Sequence, residues 1–221
     1  MEKNIRNNAN QRANENTGAA RGSAHSGAAG TGAPRQAQKR AVPQTQLTGL
    51  KDIRNLILLG VLLAAGVVLK MVLASSFPVM KPNFVIAMYC LSVLLIRPTL
   101  VEGAVIGVLA GVLCQFFPGV PYINLVSELV GGVVMTLLLR VPLRADAFDL
   151  HPIVGTFLST LASGFTYVGV MYLSFYAGAA ITPTPLGAFL AIIFGTAAIN
   201  AIIVQVLEIP LRAALKGNNR S

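Results

Sequence analysis

The chain has 221 residues, 54% of them hydrophobic and 11% charged, with a mean hydropathy of +0.68. A soluble globular domain carries about 25% charged residues, so this composition excludes that class and leaves a multi-span membrane protein. The net charge of +9 does not imply nucleic acid as a partner, because nearly all Lys and Arg lie in the first 54 residues or at the ends of apolar runs.

Residues 1–48 are rich in Asn, Ala, Gly, Gln and Arg and almost free of large apolar side chains. Such a segment cannot bury enough surface to offset its ordering entropy, so it is expected to be a disordered basic tail. His25 lies in this tail without metal-ligand neighbours. From residue 53 six apolar runs follow, at 53–75, 83–96, 99–117, 123–139, 152–176 and 186–211. They are apolar all round and show no period of two, which points to helices rather than a barrel. The expected fold is therefore all-α: a six-helix membrane domain over residues 49–215, followed by a short polar tail at 216–221.

Orientation follows from the basic residues. With the tail in the cytoplasm, all of the 17 Lys and Arg except Lys70 and Lys81 fall on the inside. Both termini are then cytoplasmic, and the loops after the first, third and fifth spans face out. Lys81 stands against the bias, so something other than topology holds it there.

Small residues recur at four-residue spacing: Gly103, Gly107 and Gly111; Gly155, Ser159 and Ser163; Gly187, Ala191 and Gly195. Such stripes let helix backbones approach closely, and most are expected to serve internal packing. Gly60, Ala64 and Ala65 in the first span are either a docking face for another membrane subunit or one more internal contact. Cys90 and Cys114 fall inside apolar runs without metal-ligand spacing, and are read as buried small apolar groups.

Ionisable groups within a span are expensive. Asn124, Ser127 and Glu128 stand at i, i+3 and i+4 and share a helix face about one turn below the outer surface. Lys70 and Lys81 flank the first outer loop, and Tyr167 and Tyr172 lie about 13 and 6 Å from the outer end of the fifth span. Two readings stay open: a structural ion pair of Glu128 with Lys70 or Lys81, or an outward-facing pocket for a zwitterionic, partly apolar solute. Asn200, Gln205 and Glu208 are placed toward the cytoplasmic end of the sixth span, in helix packing or interfacial contacts. His151, beside Pro152 in a cytoplasmic loop, is expected to be solvated. No catalytic motif and no phosphate-binding glycine loop is evident, so an enzyme with Glu128 as acid or base is disfavoured, and any ATP use must come from a partner.

Six spans with both ends inside, "VVLKMVLASSFPVMKPNFVIAM" and "GVLAGVLCQFFPGVPYINLVSELVGG" resemble the substrate-binding S component of an energy-coupling factor transporter. Within that group the chain is most similar to the tryptophan transporter family, whose second helix opens with Met-Lys-Pro-Asp where this chain has Met80-Lys81-Pro82-Asn83. The family's acid–lysine pair at the start of helix four is answered by Ser127-Glu128, so the charges in the pocket differ. The resemblance covers about residues 53–212. It implies a subunit of the bacterial cytoplasmic membrane that binds no cofactor itself. It would capture tryptophan or a related amino acid outside and dock on a transmembrane coupling protein driven by two ATPases. Docking would use Gly60 and Ala64; residues 74–82 would cap the pocket, with Lys81 and Asn83 among the substrate contacts. A vitamin or other micronutrient as the load, and a self-sufficient small carrier, are the alternatives.

Overall fold

The computed structural model describes residues 49–76, 83–117, 119–120, 122–145 and 148–217. The expected disordered tail at 1–48, Lys81 with most of the expected cap loop, and the last four residues lie outside the described residues.

Six helices account for nearly all of what is described: α1 (Ile53–Ser76), α2 (Phe84–Ile96), α3 (Leu100–Cys114), α4 (Ile123–Leu138), α5 (Thr156–Tyr176) and α6 (Leu186–Gly217). Their positions match the six apolar runs to within a few residues, apart from the extension of α6. Between α4 and α5 the chain makes a two-residue antiparallel pair, β1 (Arg144–Ala145) with β2 (Phe148–Asp149), and then a π-helical turn, His151–Gly155, that runs into α5. Three segments are long and apolar enough to cross a membrane: Ile53–Val72, His151–Tyr176 and Leu186–Leu215. The other three helices are apolar but shorter, so the molecule is an all-α, multi-pass membrane protein built from six helices, three of which span by length alone.

The chain ends its helices by local chemistry. Arg97 adopts a left-handed conformation, φ 52°, and donates its N–H to the Val93 carbonyl at 2.9 Å, closing α2; Pro98 follows and cannot continue the helix. Thr99 then opens α3 with a capping box: its hydroxyl accepts from the Glu102 N–H and the Glu102 carboxyl accepts from the Thr99 N–H at 2.7 Å. Glu102 also accepts from the Leu50 N–H at 2.9 Å, tying the entry into α1 to the same corner.

Helix α2 is the core. All of its residues but Leu95 are buried, and α1, α3, α4, α5 and α6 all touch it. The surrounding helices expose large apolar side chains such as Val61, Val101 and Ile202, as a lipid-facing surface requires. Consecutive helices run antiparallel, and the small residues set their separation. A side chain on Gly107 would run into the Glu128 carbonyl and Leu129 Cα, and one on Gly111 into the Asn124 carbonyl, so α3 and α4 meet backbone to backbone. Gly155, closing the π-helical turn before α5, lies against Met135, and Ser159 of α5 donates to the Gly131 carbonyl at 2.7 Å. The α6 stripe behaves differently: Gly187 and Ala191 are exposed, and nothing meets a side chain added at Gly187. The internal-packing expectation thus holds for the third and fifth spans and fails for the start of the sixth, which lies on the bundle's outer surface.

Candidate functional site

Asn83 stands at the start of α2. An Asn in this position ordinarily turns its side chain onto the free N–H groups of its own helix, but Asn83 makes no such cap. Its carboxamide reaches across to α4 and donates to Glu128 Oε1 at 2.5 Å. Ser163 of α5 donates to the other oxygen, Oε2, at 3.3 Å. Glu128 is only 1% exposed, while Asn83 is half-buried and lies toward the outside of the pair. The Tyr89 hydroxyl, fully buried, sits between Glu128 and Ser159 without a well-aligned hydrogen bond. It occupies the space left open by Gly131, where any side chain would collide with it.

On the other side of Asn83 the carboxamide oxygen accepts from the Cys114 thiol at 3.7 Å, and Cys114 in turn accepts from Lys70 Nζ at 3.5 Å. Lys70 also lies 4.6 Å from the centre of the Phe117 ring. The lysine and the acid therefore do not form an ion pair with each other; Cys114 and Asn83 stand between them. The structural ion-pair reading of Glu128 with Lys70 is corrected on this geometry. The alternative partner, Lys81, lies outside the described residues.

Asn200 of α6 completes the junction. It is fully buried, and its amide donates to the Asn83 backbone carbonyl at 3.2 Å and to Thr160 Oγ1 at 3.5 Å. This corrects its placement toward the far end of the bundle. Because α2 is short, its first residues begin deep in the molecule, level with the middle of α6. Lys70, Asn83, Cys114, Glu128, Ser163 and Asn200 thus bring one polar side chain from each of the six helices, or from the residue opening it, to a single cluster.

The remaining expected site residues divide. Asn124, one turn from Glu128, and the Tyr167 hydroxyl both face Gly119, and the Tyr167 ring lies 6.2 Å from that of Phe189. These two make a rim beside the cluster. Ser127 is buried but turned onto its own helix, donating to the Asn124 carbonyl at 3.3 Å. Tyr172 stands apart, donating to the Thr184 carbonyl at 3.0 Å and stacking loosely on Tyr176. Gly60 and Ala64 are exposed on α1, facing away from the bundle, and nothing approaches a side chain added at Gly60.

Sequence reasoning missed Cys114 and Tyr89 as members of the cluster, having read the first as apolar filling. At the opposite end, His151 is buried rather than solvated. Its ring bonds Asp149 through Nδ1 at 2.5 Å and the Val141 carbonyl through Nε2 at 2.9 Å. Arg212 joins Asp149, at 3.4 Å, to Glu208, fastening the α4–α5 connection to the end of α6. Partial burial disfavours the Asp149 charge, but the hydrogen bonds from His151, with the Arg212 guanidinium, outweigh it and hold this carboxyl below its usual range. Among the described residues no group of His, Cys, Asp and Glu is arranged to hold a metal ion.

Comparison with known proteins gives a consistent picture. The family model of the tryptophan transporter TrpP matches residues 52–216. A probable tryptophan transport protein of Clostridium acetobutylicum is 25% identical over 169 residues, covering 75% of this chain and 95% of the relative. No solved structure matches.

Proposed function

Because the chain belongs to the tryptophan transporter TrpP family, and is thus a small-solute transport protein rather than an enzyme, we propose that it is the substrate-binding S component of an energy-coupling factor importer. Its load on this reading is tryptophan or a related amino acid. The observation that carries the reading is the Glu128 cluster. A carboxyl fully buried in an apolar bundle is costly, and here it is bonded by Asn83 and Ser163 while the nearby Lys70 is held apart from it. An acid and an ammonium separated by neutral groups suit a zwitterion, whose ammonium would meet Glu128 and whose carboxylate would meet Lys70. Asn124 and Tyr167 would contact the rest of the solute, and Lys81 is a further candidate for its anion. Ser127 and Tyr172 are better suited to shaping the helices around it.

The basic residues support an orientation with both termini in the cytoplasm of a bacterial cell and the Glu128 cluster toward the outside. Energy would come from ATP hydrolysed by two partner ATPases acting through a transmembrane coupling protein. The exposed Gly60–Ala64 face of α1 is the docking surface we assign to that protein, since small residues admit a partner helix closely. Co-purification from the native membrane tests this directly. Two ATPases and a membrane coupling subunit should accompany the chain; purified chain that imports L-tryptophan into vesicles unaided would make it a self-sufficient carrier instead.

A further inference from the structure

Asn83 contributes to the cluster in two separable ways. Its backbone carbonyl accepts from Asn200 and from the Ile86 N–H, which fixes the start of α2 whatever side chain the residue carries. Its side chain does something different. The amide end donates to Glu128 and the oxygen end accepts from Cys114, the thiol that Lys70 holds. A donor facing the acid and an acceptor facing the lysine is the arrangement a zwitterionic head group would adopt in the same place. With Ser163 on the other oxygen, Tyr89 behind and Asn83 on the half-buried side, Glu128 offers no free direction to a solute while Asn83 stays where it is.

We infer that Asn83 is an internal stand-in for the substrate: its carboxamide occupies Glu128 in the empty protein and must be displaced before a solute ammonium can bind there. The side chain has a second seat to move to. The free N–H groups of the first turn of α2 are where an Asn at this position ordinarily bonds, and Asn83 leaves them unused. Moving from Glu128 to that cap exchanges one hydrogen bond for another, so displacement demands no orphaned amide. Asn83 is on this account a positioning residue that sets affinity and binding rate by competing for Glu128. This rests on the reading of Glu128 as a substrate group.

The test uses the intact chain in detergent, with L-tryptophan as probe. The protein contains no tryptophan, so the change in the ligand's indole emission on binding is read without a contribution from protein indole. In the unaltered protein only the fraction of molecules with Glu128 uncovered binds L-tryptophan. Because a side-chain rotamer change equilibrates far faster than binding, this fraction lowers the apparent affinity and association rate together. Asn83→Ser supplies a good cap residue too short to reach Glu128, and Asn83→Ala removes the side chain; both should bind L-tryptophan about threefold to tenfold more tightly, with a correspondingly faster association rate. Weaker or unchanged affinity in both variants would overturn the inference and make Asn83 a direct contact or a bystander. Glu128→Gln, measured alongside, separates this from the reading beneath it. Lost binding in Glu128→Gln with no gain in the Asn83 variants sinks the stand-in alone. Undiminished binding in Glu128→Gln, or no binding of L-tryptophan by the unaltered protein, sinks the substrate reading and the stand-in together.

Discussion

Asn200 Nδ2 donates to the backbone carbonyl of Asn83 at 3.2 Å, across 117 residues of sequence and from the last helix to the residue that opens the central one. This bond, made by a fully buried side chain to a half-buried residue, ties α6 to the start of α2. Replacing Asn200 with Leu removes the donor and leaves a less well satisfied carbonyl inside an apolar bundle, at a cost of about 1–3 kcal/mol. The ligand-free melting temperature of Asn200→Leu should fall clearly below that of the parent; an unchanged melt would show that the carbonyl needs no side-chain partner.

The close approach of α3 and α4 makes a sharper forecast. At Gly107 the obstructing atoms are main chain, with Leu129 Cα at 2.9 Å from an added Cβ, so no side chain can swing aside. Gly107→Leu should separate the helices at a cost of roughly 3 kcal/mol or more. Its expected outcome is loss of folded protein in size-exclusion chromatography. Wild-type yield and melting would refute the backbone contact.

Ala64 gives the opposite expectation, because it is exposed on the outer side of α1. Ala64→Leu should melt and bind L-tryptophan as the parent does, yet lose uptake in cells if, as proposed, this face docks a coupling protein that the added bulk would hold off. Normal uptake would remove the docking role from this face.

At the other end of the bundle, Asp149 sets a pH dependence. Its folded-state carboxyl titrates below the usual range, so the unfolded chain takes up a proton first as pH falls. The stability it contributes is complete well above the usual carboxylate value near 4 and is lost as pH drops below it. The gap between the melting curves of the parent and Asp149→Asn should therefore be narrower at about pH 3 than at pH 7. A gap as wide there as at pH 7 would show that the Asp149 charge is not what holds the α4–α5 connection to α6.

Much of this architecture was legible in the chain itself. Hydropathy located all six helices, because a helix in an apolar setting must be apolar along its length, and the basic residues suggested an orientation. The glycine spacing in α3 announced a close contact but not its partner, since any helix backbone satisfies it. Glu128 stood out as an acid in an apolar run. Asn200 and Cys114 did not, because their partners are a main-chain carbonyl and a carboxamide on other helices, and no periodicity records a meeting of that kind. His151 looked solvated because it follows a polar connection; its burial depends on bonds to Asp149 and the Val141 carbonyl that the sequence does not signal.

The central claim is that Glu128 serves the solute rather than the fold, and one pair of measurements on Glu128→Gln tests it. Glutamine has the same shape and can still accept from Asn83 while Ser163 turns to accept from it, so ligand-free melting should barely change. Binding of L-tryptophan, read by the ligand's own fluorescence, should weaken about tenfold or more, the worth of one charge-assisted hydrogen bond of about 1.5–3 kcal/mol. A large fall in ligand-free melting with affinity unchanged would contradict the account and make Glu128 a structural group.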